Sequence, residues 1–385
     1  MAKFDINNTK YALLWDPKDG PAALQILLGP EFIRANHTFY RTQFSVDPTS
    51  VPRQADGTAV FSSWQKEIKP AHMMDMRAPL GDSMPEDKEG IASYQATIPD
   101  FIAPGFVETA MEREYKERML AEYFGDDFNF INLYADELQN RIDSGRQTLS
   151  NMAAQLLSTG EITYNYGRGI KGAVYKAAVP AANFVKAGKS VWSDTTAKIL
   201  SQMIEIQNKF ADAWGEAVPM KWQIPYDLFV GVFLPNEQVI EWVRYMRTVN
   251  NTPLPESVVM TQDLVLQYLP SYPGLYPIEV ISEKQRNWTG TVSGWKANTA
   301  VLRPQGFAGT IKHAEDLDRS IYEKYGSSVI SRIFAKTEDG LLTVMNTTLN
   351  NGNLKEWHSD VMMAAVPALE EFLYHVIVDT ATADE

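Results

Sequence analysis

The chain has 385 residues, of which 45% are hydrophobic and 22% charged, and carries a formal net charge of −13. That length allows two or three compact units. No run approaches the ~18 consecutive apolar residues of a membrane span, and the absence of cysteine excludes disulfides, thiolate metal sites and a cysteine nucleophile. An acidic chain is a poor candidate for gripping nucleic acid through its phosphates; it suits a wall that nucleic acid slides past, and equally suits plain solubility.

The opening MAKFDINNTK has no apolar core of a secretory signal, so none is expected. The Asn36-His37-Thr38 and Asn346-Thr347-Thr348 triplets therefore carry no glycosylation meaning. Residues 1–50 alternate short apolar clusters (Tyr11 to Trp15, Leu24 to Leu28, Phe39-Tyr40) with Pro17, Pro21, Pro30 and Pro48. No cluster is long enough for an independent core, and the segment reads as an arm wrapping over something else. Residues 51–100 form a long, partly polar excursion. Asp56-Gly57-Thr58 is a turn, Trp64 to Met76 is strand-like, and Gly81 to Gly90 is an exposed tip. An excursion of about 50 residues is unusual inside a compact domain and makes sense if its partner is another chain.

Val107 to Phe124 reads as an amphipathic helix with Met111, Tyr115, Met119 and Tyr123 on one face. After Gly125, a second helix runs from Asp126 to Ser158, with Phe128, Ile131, Tyr134, Leu138, Ile142, Leu149, Met152 and Leu156 sharing a face. Asp126 and Asp127 supply its start and Thr159-Gly160 its stop. At 1.5 Å per residue it is a rod of about 50 Å, against about three turns for an average helix.

A β-hairpin follows (Glu161 to Tyr166 and Ala173 to Lys176), then a helix from Thr195 to Ala213. From Lys221 to Arg303 the pattern is mixed. Leu228 to Leu234, Pro277 to Ile281 and Thr299 to Leu302 read as strands around helices at Glu237 to Thr248 and near Thr261 to Leu269. The tail returns to strands at Val329 to Lys336, Leu341 to Thr348, Asp360 to Pro367 and Glu371 to Val378. The fold class is α+β, without internal repeats.

No motif in this chain commits it to chemistry, and the sequence offers no catalytic, cofactor-binding or metal-binding residue. Gly167-Arg168-Gly169-Ile170-Lys171-Gly172 matches the dinucleotide glycine pattern, but strand-like residues and Pro180 follow where a helix should open. It is a hairpin turn. His37, His72, His313, His358 and His375 have no metal-ligand spacing. Gly290-Thr291-Val292-Ser293-Gly294 misplaces the serine of a nucleophile elbow. Asp126-Asp127 and Glu370-Glu371 read as helix-start charge. Tryptophans 15, 64, 192, 222, 242, 288, 295 and 357 are scattered, which favours core and interface use over one groove.

Arm, extended loop, long helix, hairpin, α/β lobe and returning strands, in that order, resemble the Hong Kong 97-type capsid fold. Locally the chain resembles the major capsid protein E family of tailed phages, the lambda coat protein group. The resemblance is carried by Ala153 to Ile162 at the end of the long helix, by Val191-Trp192-Ser193-Asp194, and by Leu228 to Met246 with Leu234-Pro235-Asn236. Asn298 to Pro304 with Gly306 to Thr310, and Pro367 with Val376 to Thr380, complete it. Lys176-Ala177-Ala178 departs from the aspartate usual in the hairpin.

This resemblance implies a virion coat protein, not an enzyme and without cofactors, assembled in the host cytoplasm. Hexamers and pentamers would close an icosahedral shell around loosely contacted DNA. It further implies an N-terminal arm over 1–50, an extended loop over 51–100, a peripheral domain over 101–190 containing the spine helix 126–158, an axial domain over 191–305, and a return to the peripheral domain over 306–385. Without a heptad-rich leading segment, a separate scaffolding protein is expected, with a portal and a decoration protein as further partners and no membrane. Two rival readings are a carbohydrate-active enzyme, which needs two carboxylates at glycosidase separation, and an encapsulin-like cellular shell protein.

Overall fold

The computed structural model describes residues 14–66, 91–103, 105, 107–109, 130–164, 172–214, 218–250, 259–287, 290–315, 330–351 and 354–383, together with 111–112, 114–115, 118–119 and 122. It is an α+β chain in two compact units. The first comprises 1–61, 96–152 and 311–367, and the second 62–95, 153–310 and 368–385.

In chain order the structure begins with helices α1 (Gly20–Leu27) and α2 (Phe39–Gln43) and strands β1 (Phe44–Val46), β2 (Val60–Lys66), β3 (Ile91–Thr97), β4 (Asp100–Ala103) and β5 (Val107–Thr109). The described residues within 111–122 are helical (α3), and α4 follows over Phe130–Thr159. Next come β6 (Glu161–Tyr164), β7 (Gly172–Lys176), β8 (Phe184–Lys186), α5 (Ile199–Trp214), β9 (Met220–Pro225), α6 (Tyr226–Leu228), α7 (Glu237–Val249) and α8 (Gln262–Tyr268). The remaining strands are β10 (Ile278–Ile281), β11 (Gln285–Asn287), β12 (Gly290–Val292), β13 (Thr299–Pro304), β14 (Gly309–His313), β15 (Ile330–Lys336), β16 (Leu342–Asn351), β17 (Leu354–Leu369) and β18 (Val376–Asp379).

A seven-stranded sheet carries the first unit, in the order β1-β14-β17-β16-β15, with β4 and β5 also paired to the long β17. The described core-face residues of α4 in this unit, Tyr134, Leu138, Ile142, Leu149 and Met152, are all buried. The helix lies so close to β16 that a β-carbon on Gly145 would stand 2.4 Å from a methyl of Leu342. A mid-helix glycine costs about 1 kcal/mol of helix propensity; here it makes room for that contact. Asp126, Asp127 and Phe128 lie outside the described residues.

From Leu14 onward the expected arm is built into its own chain. Leu14, Trp15, Leu24, Leu27, Tyr40 and Phe44 are buried, and residues 34–37 are tied to the flank of α4. The Arg34 amide donates to Gln139 at 2.6 Å, the Arg146 guanidinium donates to the Arg34 carbonyl, and the Ser150 hydroxyl donates to the His37 carbonyl at 2.8 Å. The clusters are too short for a core of their own and complete this one instead.

The second unit is organised on a five-stranded sheet, β10-β9-β13-β18-β8. β9 pairs parallel with β10 and antiparallel with β13; β18 pairs antiparallel with β13 and parallel with β8. Its apolar cluster includes Trp192, Trp222, Phe229, Phe233 and Val243. The Trp192 and Trp222 indoles donate to Gln202 and Gln207 of α5 at 3.0 and 2.7 Å, so both bury their N–H groups at no unmet cost.

Three sequence expectations change. Leu228 to Leu234 is not a strand: α6 continues into a π-helical turn over Phe229–Phe233. A continuous apolar run carries no period that separates strand from helix, and the buried pair Phe229 and Phe233, stacked at 5.4 Å, marks a helical spacing. Second, Val107–Thr109 is strand, and the helix starts after it. Third, the tail does not stay together, because β18 is an interior strand of the second sheet. The remaining strand and helix expectations in the described residues differ mainly at their ends.

Candidate assembly elements

β2 and β3 pair into a two-stranded ribbon, the described part of the expected extended loop. Asp82 to Gly90 lie outside the described residues. Arg53 fastens the ribbon's root. Its guanidinium donates to the Gly57 carbonyl at 2.7 Å, to both carboxylate oxygens of Asp100, and to the Glu315 carbonyl. Its side chain is 9% exposed and that of Asp100 46%, so the bidentate pair has one buried partner and one that water reaches. Around it, the Ile98 amide donates to the Ala59 carbonyl at 2.8 Å, and Val51 bridges Ala314. The turn reads as the sequence expects: Gly57 has φ +85°, and the Thr58 amide and hydroxyl bond the Asp56 carboxylate, which holds that carboxyl below its ordinary range.

α3 opens with a reciprocal cap. The Thr109 amide and hydroxyl donate to the Glu112 carboxylate at 2.9 Å, and the Glu112 amide donates to the Thr109 hydroxyl at 3.3 Å. Thr-x-x-Glu is a capping box, the signal in the sequence that places the helix start after Thr109. Met111, Tyr115 and Met119 share a face and are 78%, 65% and 37% exposed. Tyr123, expected on the same face, lies outside the described residues.

The histidines serve structure at separate places. His37 adopts φ +51° beside α4, and the His313 ring nitrogen Nε2 is 2.9 Å from the Asp47 carbonyl. His358 stands 3.5 Å from Glu356. His375 is buried in the second unit, donating from Nε2 to the Leu157 carbonyl at 2.7 Å, and burial lowers its pKa to about 4. His72 lies outside the described residues. No group of three metal-ligating side chains gathers among the described residues.

The other motifs do not come together as chemistry. Gly290-Thr291-Val292 is a strand of the β11–β12 hairpin, and Ser293 caps the Trp295 amide instead of opening a helix. Tyr164 pairs with Gly172 across an antiparallel hairpin, and residues 165–171 of the glycine-rich stretch lie outside the described residues. Glu370 and Glu371 precede a short 3-10 turn, Phe372–Tyr374. Burial raises the Glu371 pKa, with Arg303 opposing the rise. Arg303 itself is a buried arginine with its pKa lowered to about 10, donating to Gln223 and to the Pro304 and Gly306 carbonyls. Trp15, Trp192, Trp214, Trp222 and Trp295 are core residues, as the scatter of aromatics indicates.

No protein-family profile matches the chain, and no curated protein matches it. Among solved structures it is similar to one described as a prophage capsid protein from Escherichia coli CFT073, with 13% identity over 93% of this chain and 98% of that one, at a TM-score of 0.49. A phage-related protein from Bordetella bronchiseptica shares 14% identity over 94% and 97%, at 0.46. The capsid of Myoviridae phage XM1 shares 11% over 89% and 92%, at 0.41.

Proposed function

We propose that the chain is the major capsid protein of a tailed phage, a structural subunit and not an enzyme. The observation that carries this reading is the order of parts. A paired ribbon rooted by Arg53 precedes a 30-residue helix, a hairpin and a second sheet, and the chain then returns through the long β16–β17 pair. Such an arrangement offers extended elements for contacts between copies. Copies assemble as hexamers and pentamers into an icosahedral shell in the virion. In a thin shell, modest interfaces repeated by closed symmetry are sufficient.

In this reading the seven-stranded unit is the peripheral body and the five-stranded unit the axial lobe. The ribbon lies over a neighbour, and the acidic chain meets packaged DNA without binding it tightly. A scaffolding protein directs assembly; a portal and a decoration protein complete the particle. Negative-stain electron microscopy of the full chain, expressed alone and with the products of neighbouring genes, should show closed particles or sheets. Monomers under every condition would overturn the reading. Deleting Asp82–Gly90 should leave a folded monomer that assembles poorly, and unimpaired shells would remove the ribbon from the interface.

A further inference from the structure

We infer that Arg53 and Asp100 are positioning residues for assembly: their clasp sets the direction in which the β2–β3 ribbon leaves the seven-stranded sheet. The inference rests on the coat-protein reading and names what aims one of its contacts. Among the described residues β2 and β3 pair only with each other, so no third strand steers the ribbon. A lone two-stranded ribbon is marginally stable and strongly twisted, and its direction is decided at its two feet. The incoming foot is tied where the Val51 amide donates to the His313 carbonyl at 2.7 Å. The outgoing foot is tied where Asp100 pairs with Ala364 of β17, whose carbonyl also accepts the Ala314 amide at 2.9 Å. Both feet therefore meet the sheet at one anchored point, and Arg53 spans them there.

The span needs a guanidinium. Nε donates to the Glu315 carbonyl, one terminal nitrogen to Gly57 and Asp100, and the other to Asp100, so one side chain joins three segments. The protons of a lysine radiate from a single nitrogen and cannot cover that fork. The Asp100 arm serves aim more than strength. Its side chain is 46% exposed, and a charge pair that water reaches adds little to stability. Direction is a different matter, because distance from the root multiplies any error. β2 runs seven residues from Val60 to Lys66, about 20 Å at the rise of a strand. A swing of ~10° at the root moves the far end by roughly 3.5 Å, and a well-packed contact tolerates about 1 Å.

The test is double electron–electron resonance on the unassembled full-length chain. The chain has no cysteine, so nitroxides on Ala22→Cys of α1 and Lys66→Cys of β2 are the only labels it takes. With the clasp intact, their separation should form one narrow population. Asp100→Asn and Arg53→Lys should each broaden it at least twofold and cut the yield of closed particles at least tenfold. Asp100→Asn should do so with a melting temperature within about 2 °C of the parent's. Tyr134→Phe, which removes a buried hydrogen bond of the same unit away from the root, should lower the melting temperature and leave the population narrow. A broad population in the parent, or a narrow one in Asp100→Asn, would overturn this proposal alone. Normal particle yields from a chain whose population has broadened would overturn it too. Failure of the wild-type chain to form particles under any condition would overturn the coat-protein reading, and this proposal with it.

Discussion

Tyr134 joins three segments that are distant in sequence. Its hydroxyl donates to the Asn346 side-chain carbonyl at 3.0 Å and lies 2.9 Å from the Ser359 hydroxyl, while the Asn346 amide donates to the Leu14 carbonyl at 3.0 Å. Trp15 packs edge-on against the same ring at 5.5 Å. Full burial pushes the phenol up to about 12, so it remains a neutral donor. Tyr134→Phe keeps the ring and removes the hydroxyl, leaving buried polar groups without that bond; it should cost about 1–3 kcal/mol in urea unfolding. No measurable change would show that water or a side-chain shift replaces it.

His375 makes a second residue-scale prediction, in pH. Its folded pKa is depressed to about 4, by burial first, with the Leu157 hydrogen bond opposing and Arg303 adding to the fall. The unfolded chain takes up the proton near 6.5. The neutral ring's contribution is therefore complete above about pH 6.5 and is lost as pH falls from there through 4, by about 3 kcal/mol in all. Denaturant midpoints of wild type and His375→Leu, compared between pH 7.5 and 4.5, should show wild type losing more than the variant. Equal losses would place the acid sensitivity elsewhere.

At the scale of elements, periodicity and punctuation were strong guides where one face alone is buried. The long helix was legible because Tyr134, Leu138, Ile142, Leu149 and Met152 repeat every three to seven residues, and all are buried. Leu138→Asp puts a charge into that face with no partner provided. It should give insoluble or unfolded chain on expression, and a soluble, assembling variant would refute the packing. The π-helical turn at Phe229–Phe233 was not legible, because an apolar run buried on most sides has lost its period. The start of α3 was legible in principle: Thr109 and Glu112 spell the cap, but the apolar residues Val107 and Met111 suggested an earlier helix. The Arg53 clasp left no local signal, since its partners Asp100 and Glu315 come from segments that only the fold brings together. Local rules describe neighbours in sequence, and this root is made of strangers.

At the scale of the whole molecule, the same limit explains the tail. Val376–Asp379 looks like one more strand of the last run, yet it lies between β13 and β8, inside a sheet whose first strand begins as early as Phe184. The chain passes between its two units at 61/62, 95/96, 152/153, 310/311 and 367/368, so neither unit is one continuous stretch. That has a consequence for dissection. A fragment 153–310 lacks β18, which exposes the facing edges of β13 and β8 and removes the buried Val376 and Val378 from the core. Unpaired interior strand edges and lost apolar contacts both favour aggregation. The fragment alone should be insoluble or lack a cooperative melt, whereas joining 368–385 to its end through a flexible linker should restore a cooperative transition. A soluble, cooperatively melting 153–310 fragment would show that β18 is an accessory strand and that the second unit is complete without the returning tail.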